Sequence, residues 1–501
     1  SAMSLKLMLE ETAGRYGDKT AIVFGDSRLS YADLDKASNK MANALIKMGV
    51  GKGDRVAMLL NNSPEFVITY FGIVKIGAIA VLLDTYFQVG ELASFFGDSQ
   101  PRVLVAESSA LQPLIPVLSG FQSIKHVIDV GSECGGQFHS YAEIMATGSA
   151  QKIKGEPEPE AVAHIVYSSS PSSHPRGAMI THHNLVVETG IIKDGFQQTA
   201  QDVMMLYALP LHHMFALGAS LLVSVYCGST IVIVPGTGLS LGSFMAAVEK
   251  EKGTICLGVP YIFALAIDMA EKEGIKSDLS SLRLCVSAGA CLPVDVIRGF
   301  KQRYGFTLAD FYGLTEATCI VTGPPLDDSG KFGSIGKAQD KWAVKIVDDN
   351  GQELPANQSG EIIAKGPMMK GYYNNPQATA EVIKDGWLYT GDIGRIDEDG
   401  YLFITGRKKN TIIVKGQNIY PEDIESVLLT HPKVAEVRVM AIPDKLRGEI
   451  VGAVVVLKAG EVTTEQEIRQ FCLERLASYK APKQITFSNS LPQSAITKAH
   501  K

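Results

Sequence analysis

The hydrophobic positions of the first 330 residues form short strand-length runs separated by longer helical patterns. Residues 55–60 and 78–83 are predominantly apolar, and residues 65–76 between them have the spacing of a helix. Apolar runs that alternate with helices indicate parallel strands covered on both faces. The predicted fold class is therefore α/β, with parallel sheets. Further strands are predicted at residues 102–106, 124–130, 230–234, 253–257 and 282–286.

The pattern changes near residue 330, where the apolar segments become shorter and turn signals more frequent. Asp349-Asn350-Gly351, Asp385-Gly386 and Asp399-Gly400 are typical of hairpin turns between short strands. We therefore predict a small β-barrel or sheet module over residues 330–405, within a large N-terminal domain of residues 1–405.

The last part of the chain, residues 406–501, predicts a separate small α+β domain. Helices are expected at 421–430 and 464–476, and strands at 434–442 and 452–457. About 90 residues are enough for a domain that folds by itself. The polar junction that begins at Gly406 would suit a hinge, so we expect this domain to act as a mobile lid.

Composition narrows the class of protein. The chain has 501 residues, of which 46% are hydrophobic and 20% charged, as in soluble enzymes. Its formal net charge of -6 offers no basic excess for a nucleic-acid partner. The seven cysteines form no CxxC pair, which favours buried thiols in a reducing, cytoplasmic compartment. Apolar stretches are interrupted before the ~20 residues of a membrane span, so no integral membrane segment is expected.

A hydroxyl-rich loop follows the predicted strand that ends at Tyr167 and precedes a helix that starts near Thr181. Such a loop can donate several hydrogen bonds to phosphate oxygens, and Arg176 can add charge-assisted ones. On its own, a serine cluster is more often a solvated loop. The candidate phosphate-binding residues are Ser168, Ser169, Ser170, Ser172, Ser173 and Arg176.

Three downstream motifs support a functional interpretation of this loop. They are Asp310-Phe-Tyr-Gly-Leu-Thr-Glu316, Tyr389-Thr-Gly-Asp-Ile-Gly-Arg395 and Leu491-Pro-Gln-Ser-Ala-Ile-Thr-Lys498. With the loop and in this order, they resemble the adenylate-forming superfamily of acyl-CoA synthetases, peptide-synthetase adenylation domains and luciferases. The resemblance covers nearly the whole chain and is closest to bacterial AMP-forming fatty-acid–CoA ligases.

The phosphate loop departs from the family pattern Tyr-Thr-Ser-Gly-Thr-Thr-Gly-x-Pro-Lys-Gly. Ser170 and Ser173 replace the two inner glycines, Pro171 replaces a threonine and Arg176 replaces the lysine. Glycine permits close backbone approach to an anion, and proline lacks an N–H donor. The expectation is a weakened grip on the β- and γ-phosphates of ATP.

The resemblance implies roles for the nucleotide site. Tyr312 would stack on adenine, Thr315 would contact the α-phosphate and Glu316 would help to hold Mg²⁺. Asp392 would accept hydrogen bonds from the ribose hydroxyls, a geometry that suits a carboxylate, and Arg407 would also reach the ribose. The other residues expected at this site are Asp310, Phe311, Gly313 and Gly289.

The resemblance also implies roles for the lid and the acyl site. Lys498 would be the catalytic lysine of adenylation, and Lys409 would be the hinge. Lys415 and Gly416 would approach the coenzyme A tunnel when the lid rotates. His213 would gate the acyl pocket as a catalytic-site residue. Val259 and Gly289 would line that pocket.

The implied reaction uses ATP, Mg²⁺ and coenzyme A. An apolar carboxylic acid, expected to be a medium- or long-chain fatty acid, becomes an acyl-adenylate and then a thioester. Two alternatives stay open: an acyl-adenylate delivered to a carrier protein or oxidised as in luciferases, and a nucleotide-binding pseudoenzyme with an impaired phosphate loop. The retained residues Glu316, Asp392, Arg407 and Lys498 argue against the pseudoenzyme. A homodimer also stays open.

Overall fold

The computed structural model describes residues 3–167, 175–235, 240–408 and 410–492. Seven strands form the first large sheet. Six of them run parallel, and the seventh, Ser27–Ser30, is antiparallel to its neighbour Thr20–Phe24. In spatial order the strands are Leu308–Asp310, Leu284–Ser287, Ile255–Gly258, Val203–Leu206, Thr230–Ile233, Thr20–Phe24 and Ser27–Ser30.

Eight strands form the second large sheet, in which Gly177–Thr181 pairs antiparallel with both of its neighbours, Val162–Tyr167 and the edge strand Gly371–Tyr372. The six strands from Val162–Tyr167 to His139–Ser140 run parallel. The α/β fold class predicted from the sequence is confirmed. In spatial order the strands are Gly371–Tyr372, Gly177–Thr181, Val162–Tyr167, Ile79–Leu82, Arg55–Leu59, Val103–Glu107, His126–Val130 and His139–Ser140.

Several helices that cover these sheets begin at hydroxyl caps, which satisfy backbone N–H groups that have no partner inside the helix. The side chains of Ser30 and Ser63 each accept a bond from the backbone three residues on, and Thr181 forms a reciprocal capping box with Asn184. No described helix is long and apolar enough to cross a membrane. The α-helices of the large domain are Leu5–Tyr16, Tyr31–Lys47, Pro64–Lys75, Val89–Ser99, Ser108–Leu111, Tyr141–Thr147, His182–Phe196, Met214–Ala216, Val223–Cys227, Leu241–Glu251, Pro260–Glu273, Val294–Tyr304 and Pro376–Val382.

Antiparallel strands follow the parallel sheets, where the sequence predicts a β-rich module. Gly351, Gly386 and Gly400 adopt positive φ angles of 78°, 79° and 88°, as hairpin turns require. One sheet contains Tyr312–Gly313, Ile320–Gly323 and Lys337–Ala338, and the other contains Ala343–Val347, Gly360–Lys365, Trp387–Ile396, Ile383–Lys384 and Leu402–Arg407. Short 3₁₀ helices occur at Gln112–Gly120 and Thr315–Ala317, and a π-helical segment at Leu217–Leu222.

The lid has a hydrophobic core of its own, centred on Ile412, Ile424, Val439 and Ile468. Its strand Gly448–Leu457 begins four residues before the predicted start, because it pairs along its whole length with Val434–Asp444. The boundary predicted between residues 405 and 406 stays a prediction. The lid contains strands Ile412–Val414, Gln417–Ile419, Val434–Asp444, Gly448–Leu457 and Gln484–Phe487, helices Pro421–Leu428 and Glu465–Leu473, and the 3₁₀ turn Ser478–Lys480.

Candidate active site

A cavity of about 130 Å³ lies between the large domain and the lid. Its wall on the large domain combines apolar side chains with two adjacent histidines, His212 and His213. Its wall on the lid is mainly polar. The apolar part is formed by Leu82, Val166, Leu209, Phe215, Ala216 and Val259, and the lid part by Lys415, Gly416, Gln417, Asn418, Tyr420, Asp423, Tyr479 and Lys480.

The lid is held on the large domain by buried polar contacts at one side of this cavity. Nζ of Lys480 lies 2.5 Å from Oε2 of Glu91, and the backbone N–H of Ala477 donates to Oε1 of Glu91 at 2.7 Å. The hydroxyl of Tyr479 donates to Asp84 at 2.7 Å. Because a buried charge is costly without a partner, these contacts favour this one lid position over loosely related ones.

Gly416 of the lid closes the other side of the cavity. A Cβ on Gly416 would lie 2.5 Å from Cγ1 of Val259, and its φ of +81° already favours glycine. A Cβ on Gly289 would lie 3.8 Å from the carbonyl oxygen of Gly416. Lys415 places its ammonium 4.7 Å from the ring centroid of Tyr261. The structure therefore brings together Gly289, Val259 and Gly416, which the sequence assigned to three separate segments.

His213 and His212 form the polar corner of the acyl side. Nδ1 of His213 accepts a hydrogen bond from the backbone N–H of Phe215 at 3.2 Å. Burial, with His212 nearby, lowers the pKa of His213 to about 4, so this imidazole is neutral at pH 7. Nε2 of His212 lies 3.6 Å from Oδ1 of Asp84. Burial also lowers the pKa of His212, although Asp84 opposes this effect.

The predicted nucleotide residues form a second cluster. The hydroxyl of Tyr312 donates to Oδ2 of Asp392 at 2.5 Å, although 80 residues separate the two in sequence. Asp392 and Arg407 are directly paired on the neighbouring strands Trp387–Ile396 and Leu402–Arg407. The guanidinium of Arg407 donates to Glu449 of the lid at 2.6 Å and to the carbonyl oxygen of Thr411. Arg407 thus connects this cluster to the lid.

The neighbours of Tyr312 in this segment are tightly packed. Asp310 is buried, and burial holds the pKa of its carboxyl well above the usual range. Phe311 is 2% exposed and packs edge-on against Phe196 at 5.1 Å, so its side chain belongs to the core. A Cβ on Gly313 would lie 1.6 Å from the carbonyl oxygen of Cys319. Gly313 is therefore required for packing of the chain behind the site.

Thr315 lines the cavity from the 3₁₀ turn Thr315–Ala317. The carbonyl oxygen of Glu316 in the same turn accepts a bond from the N–H of Met369 at 2.9 Å. Burial and then the Glu316 carboxylate raise the pKa of Tyr420, and Arg176 lowers it. Glu316 and Arg176 therefore lie on the same side of the site, close to the lid residue Tyr420. The guanidinium of Arg176 also lies 3.8 Å from Oε2 of Glu381.

Some predicted residues lie outside the described part of the chain, and their roles stay predictions. These are the serines of the phosphate loop, the hinge residue and the adenylation lysine, namely Ser168, Ser169, Ser170, Ser172, Ser173, Lys409 and Lys498.

The structure adds residues that the sequence reasoning missed. Asp84, Glu91, Asp423, Tyr479 and Lys480 all lie at the contact between the lid and the large domain. The pairings of Asp84 with Tyr479 and of Glu91 with Lys480 span 395 and 389 positions, so they leave no local pattern in the sequence. A second missed neighbour is the thiol of Cys291. Cys291 is exposed, and its thiol lies near the carboxylates of Asp310 and Asp392.

Comparison with known proteins gives this architecture a class. Residues 9–373 match the family model of the AMP-binding enzyme, and residues 423–498 match that of the AMP-binding enzyme C-terminal domain. The long-chain-fatty-acid–CoA ligase of Bacillus subtilis is 32% identical over 99% of this chain and 93% of its own length. The indoleacetate–CoA ligase of Aromatoleum aromaticum is 33% identical over 100% of this chain and 97% of its own length.

Two solved structures have the same architecture. The o-succinylbenzoate CoA synthetase of Bacillus subtilis, bound with a product analogue, superposes with a TM-score of 0.85 at 29% identity, over 97% of this chain and 96% of that one. The amide bond synthetase of Marinactinospora thermotolerans gives a TM-score of 0.87 at 25% identity, over 98% and 97%.

The fold and site therefore define a two-domain ligase with its cavity at the contact between a large domain and a lid. The chain belongs to the AMP-binding enzyme family, the adenylate-forming superfamily, and is similar to its fatty-acid–CoA ligases. It is an AMP-forming acid–thiol ligase.

Proposed function

We propose that this ligase activates an apolar carboxylic acid, a medium- or long-chain fatty acid, as an acyl-adenylate and then transfers the acyl group to coenzyme A. The observation that carries the proposal is the contact of Gly416 with Val259 in the cavity that also contains His213. Because Gly416 has no side chain, the lid approaches Val259 closely without filling the space in which a slender thiol arm would have to lie.

The apolar wall supports an apolar acid. Leu82, Val166, Phe215 and Ala216 line the cavity, whereas Arg176 is not among its lining residues. His213 is neutral because burial lowers its pKa to about 4, so the acyl side offers no fixed positive charge for a second carboxylate. Aromatic acids are the competing substrates, since relatives include an indoleacetate–CoA ligase.

The nucleotide cluster has the groups that adenylation needs. Asp392, oriented by the Tyr312 hydroxyl, can accept both ribose hydroxyls, and Arg407 lies on the adjacent strand. Mg²⁺ would arrive with ATP. The described residues include no cluster of three candidate metal ligands, which fits an ion held by phosphates and one carboxylate, Glu316. The ion would neutralise phosphate charge, and Lys498 would reach the α-phosphate from the lid.

The contacts in the structure correspond to the thioester-forming position of the lid in this proposal. Here Lys480 and Tyr479 hold the lid so that Gly416 borders the cavity. Adenylation would use another lid position, reached by rotation near Lys409. One small domain could then serve both half-reactions in turn.

The test is a substrate screen with purified protein. ATP, Mg²⁺ and acids from hexanoate to stearate, together with indoleacetate and cinnamates, are incubated with and without coenzyme A. AMP and acyl products are measured by mass spectrometry. We expect acyl-CoA from aliphatic acids. Acyl-AMP that persists in the presence of coenzyme A would favour carrier-protein delivery. No acid-dependent AMP would contradict the proposal and favour the pseudoenzyme.

A further inference from the structure

Asp423 is an acidic residue of the lid that is buried and has no role in the contacts described so far. It lies in the first turn of the helix Pro421–Leu428, it is 5% exposed, and it lines the cavity. Within the described residues, neither of its carboxylate oxygens has a hydrogen-bond partner. A buried carboxyl without partners is costly, so its retention calls for an explanation beyond packing.

Two other ionisable groups that line the cavity, Asp84 and Lys480, are already engaged. Asp84 accepts from the Tyr479 hydroxyl at 2.7 Å and from the backbone N–H of Tyr86 at 2.9 Å. Lys480 is bound to Glu91.

Two basic side chains of the cavity, Lys415 and His213, are poorly suited to accept a proton. Lys415 lies over the Tyr261 ring, and as an ammonium group it has no lone pair to offer. Nδ1 of His213 accepts from Phe215, and burial lowers the pKa of this imidazole to about 4.

The surroundings of Asp423 make it a stronger base than an ordinary carboxylate. Burial raises its pKa to about 7; Glu91 and Glu422 act in the same direction, and Lys480 acts against it. Tyr420 and Tyr479 also lie close enough for Asp423 to raise their pKa values. A general base is most effective when its pKa lies near the operating pH.

We propose that Asp423 is the base that accepts the thiol proton when coenzyme A attacks the acyl-adenylate. The inference rests on the thioester-forming step of the proposed function. The thiol proton passes to a carboxylate oxygen of Asp423. The sulfur electron pair forms the S–C bond at the acyl carbon, and the C–O bond to phosphate breaks. AMP leaves with that bond's electrons, and Asp423 loses its proton to water when the lid opens.

The position of Asp423 on the lid links its access to the cavity to lid docking. Asp423 belongs to the same small domain as Gly416, so it enters the reaction cavity only when the lid is docked. In another lid position the acyl-adenylate would lie away from this carboxylate. The base is then absent during adenylation, when deprotonation of water would waste the adenylate by hydrolysis.

The test compares wild type, Asp423→Asn and Asp423→Glu with the neighbouring exposed acid changed in Glu422→Gln. Synthetic acyl-AMP, made from an acid accepted in the screen, is mixed with coenzyme A in single-turnover quench experiments from pH 5.5 to 9.5. Acid-dependent ATP–pyrophosphate exchange is measured in parallel on the same full-length proteins.

For Asp423→Asn we expect thioester formation at pH 7 to slow by roughly 100-fold, a usual size for loss of a general base. The wild-type rate should rise to a plateau with an inflection near pH 7, and the variant should lack that inflection. Its deficit should shrink near pH 9, where free thiols ionise with a pKa of about 8.5. Asp423→Glu should restore part of the rate. Glu422→Gln should stay close to the wild-type rate at pH 7, with an inflection at slightly lower pH, because Glu422 helps to raise the pKa of Asp423.

Two results would overturn the assignment of Asp423. One is an Asp423→Asn variant that keeps the wild-type pH profile, and the other is an equal slowing of pyrophosphate exchange, which would indicate a structural role. If wild type forms no acyl-CoA from acyl-AMP at all, the proposed function itself fails. That outcome is distinct, because it appears in wild type before any variant is compared.

Discussion

Nζ of Lys480 on the lid lies 2.5 Å from Oε2 of Glu91 on the large domain, with both side chains at least 93% buried. Removal of one partner from a buried ion pair leaves an uncompensated charge and costs about 3–5 kcal/mol. The free energy lost here would be that of lid docking, because the partners belong to different domains.

Glu91→Gln should therefore slow thioester formation from acyl-AMP at least tenfold, corresponding to ~1.4 kcal/mol. The backbone N–H of Gln88 donates to Oε1 of Glu91 at 3.0 Å. Glutamine keeps an oxygen that can accept this bond, so the start of the helix should be preserved. Single-turnover kinetics measure the effect. The control is Glu251→Gln, which breaks the ion pair with the largely exposed Arg28 and should change little. Equal losses in both variants would refute a role in docking.

Gly416→Ala should block the docked lid. The new Cβ would lie 2.5 Å from Cγ1 of Val259, and alanine is strained at a φ of +81°. We expect thioester formation to fall at least tenfold while pyrophosphate exchange is largely retained.

Gly448→Ala is the matched control for backbone strain. Gly448 has a φ of +85°, but the nearest atom to a Cβ there, the carbonyl oxygen of Ile413, is 4.0 Å away. The double variant Gly416→Ala/Val259→Ala removes the opposing methyl groups and should recover part of the rate. If Gly448→Ala were as damaging as Gly416→Ala, strain rather than contact with Val259 would explain the loss.

Asp392→Ala should weaken ATP and AMP binding together, because a ribose contact is common to both nucleotides. Tyr312→Phe removes the 2.5 Å hydrogen bond that orients Asp392 and should weaken both by about tenfold, near the usual value of a hydrogen bond to a charged group. Equilibrium titration calorimetry with AMP and with a non-hydrolysable ATP analogue measures both affinities. A loss confined to the acid substrate would rule out this role.

Glu188 should make stability depend on pH. It accepts from the backbone N–H of Ile320 at 3.0 Å and from Trp342 at 3.1 Å, and burial raises its pKa to about 8. The pKa of Glu188 in the folded protein exceeds its value of about 4.3 in the unfolded chain. The stabilising contribution of Glu188 is therefore complete below the unfolded pKa and is lost as pH rises through 8. The free energy of unfolding of Glu188→Gln relative to wild type should thus increase from pH 5 to 8, by at most about 1.4 kcal/mol per pH unit. Urea unfolding at four pH values tests this, and a constant difference would contradict it.

The altered phosphate loop should hold pyrophosphate poorly. Restoring the family pattern with Ser170→Gly, Pro171→Thr and Ser173→Gly should lower KM for ATP, or raise kcat for adenylation, at least tenfold, or ~1.4 kcal/mol. Steady-state kinetics provide the measurement, with AMP affinity as internal control. An equal gain for AMP would show that the loop acts on folding or lid position instead.

The sequence by itself determined the α/β class and several strands of the two large sheets, such as Arg55–Leu59, Ile79–Leu82 and Thr230–Ile233, because a doubly covered parallel strand must be continuously apolar. It also determined the family, because motifs such as Asp310–Glu316 keep their order and local spacing. Local patterns failed where pairing decides the outcome. The strand Gly448–Leu457 begins early because it follows its partner Val434–Asp444.

Only the tertiary structure decided how the lid meets the large domain. The contacts of Glu91 with Lys480 and of Asp84 with Tyr479 join residues nearly 400 positions apart, and no periodicity connects such positions. The same docking buries Asp423 against the reaction cavity without a partner. Burial and neighbouring charge set a carboxyl group's basicity, and both exist only once the two domains are in contact.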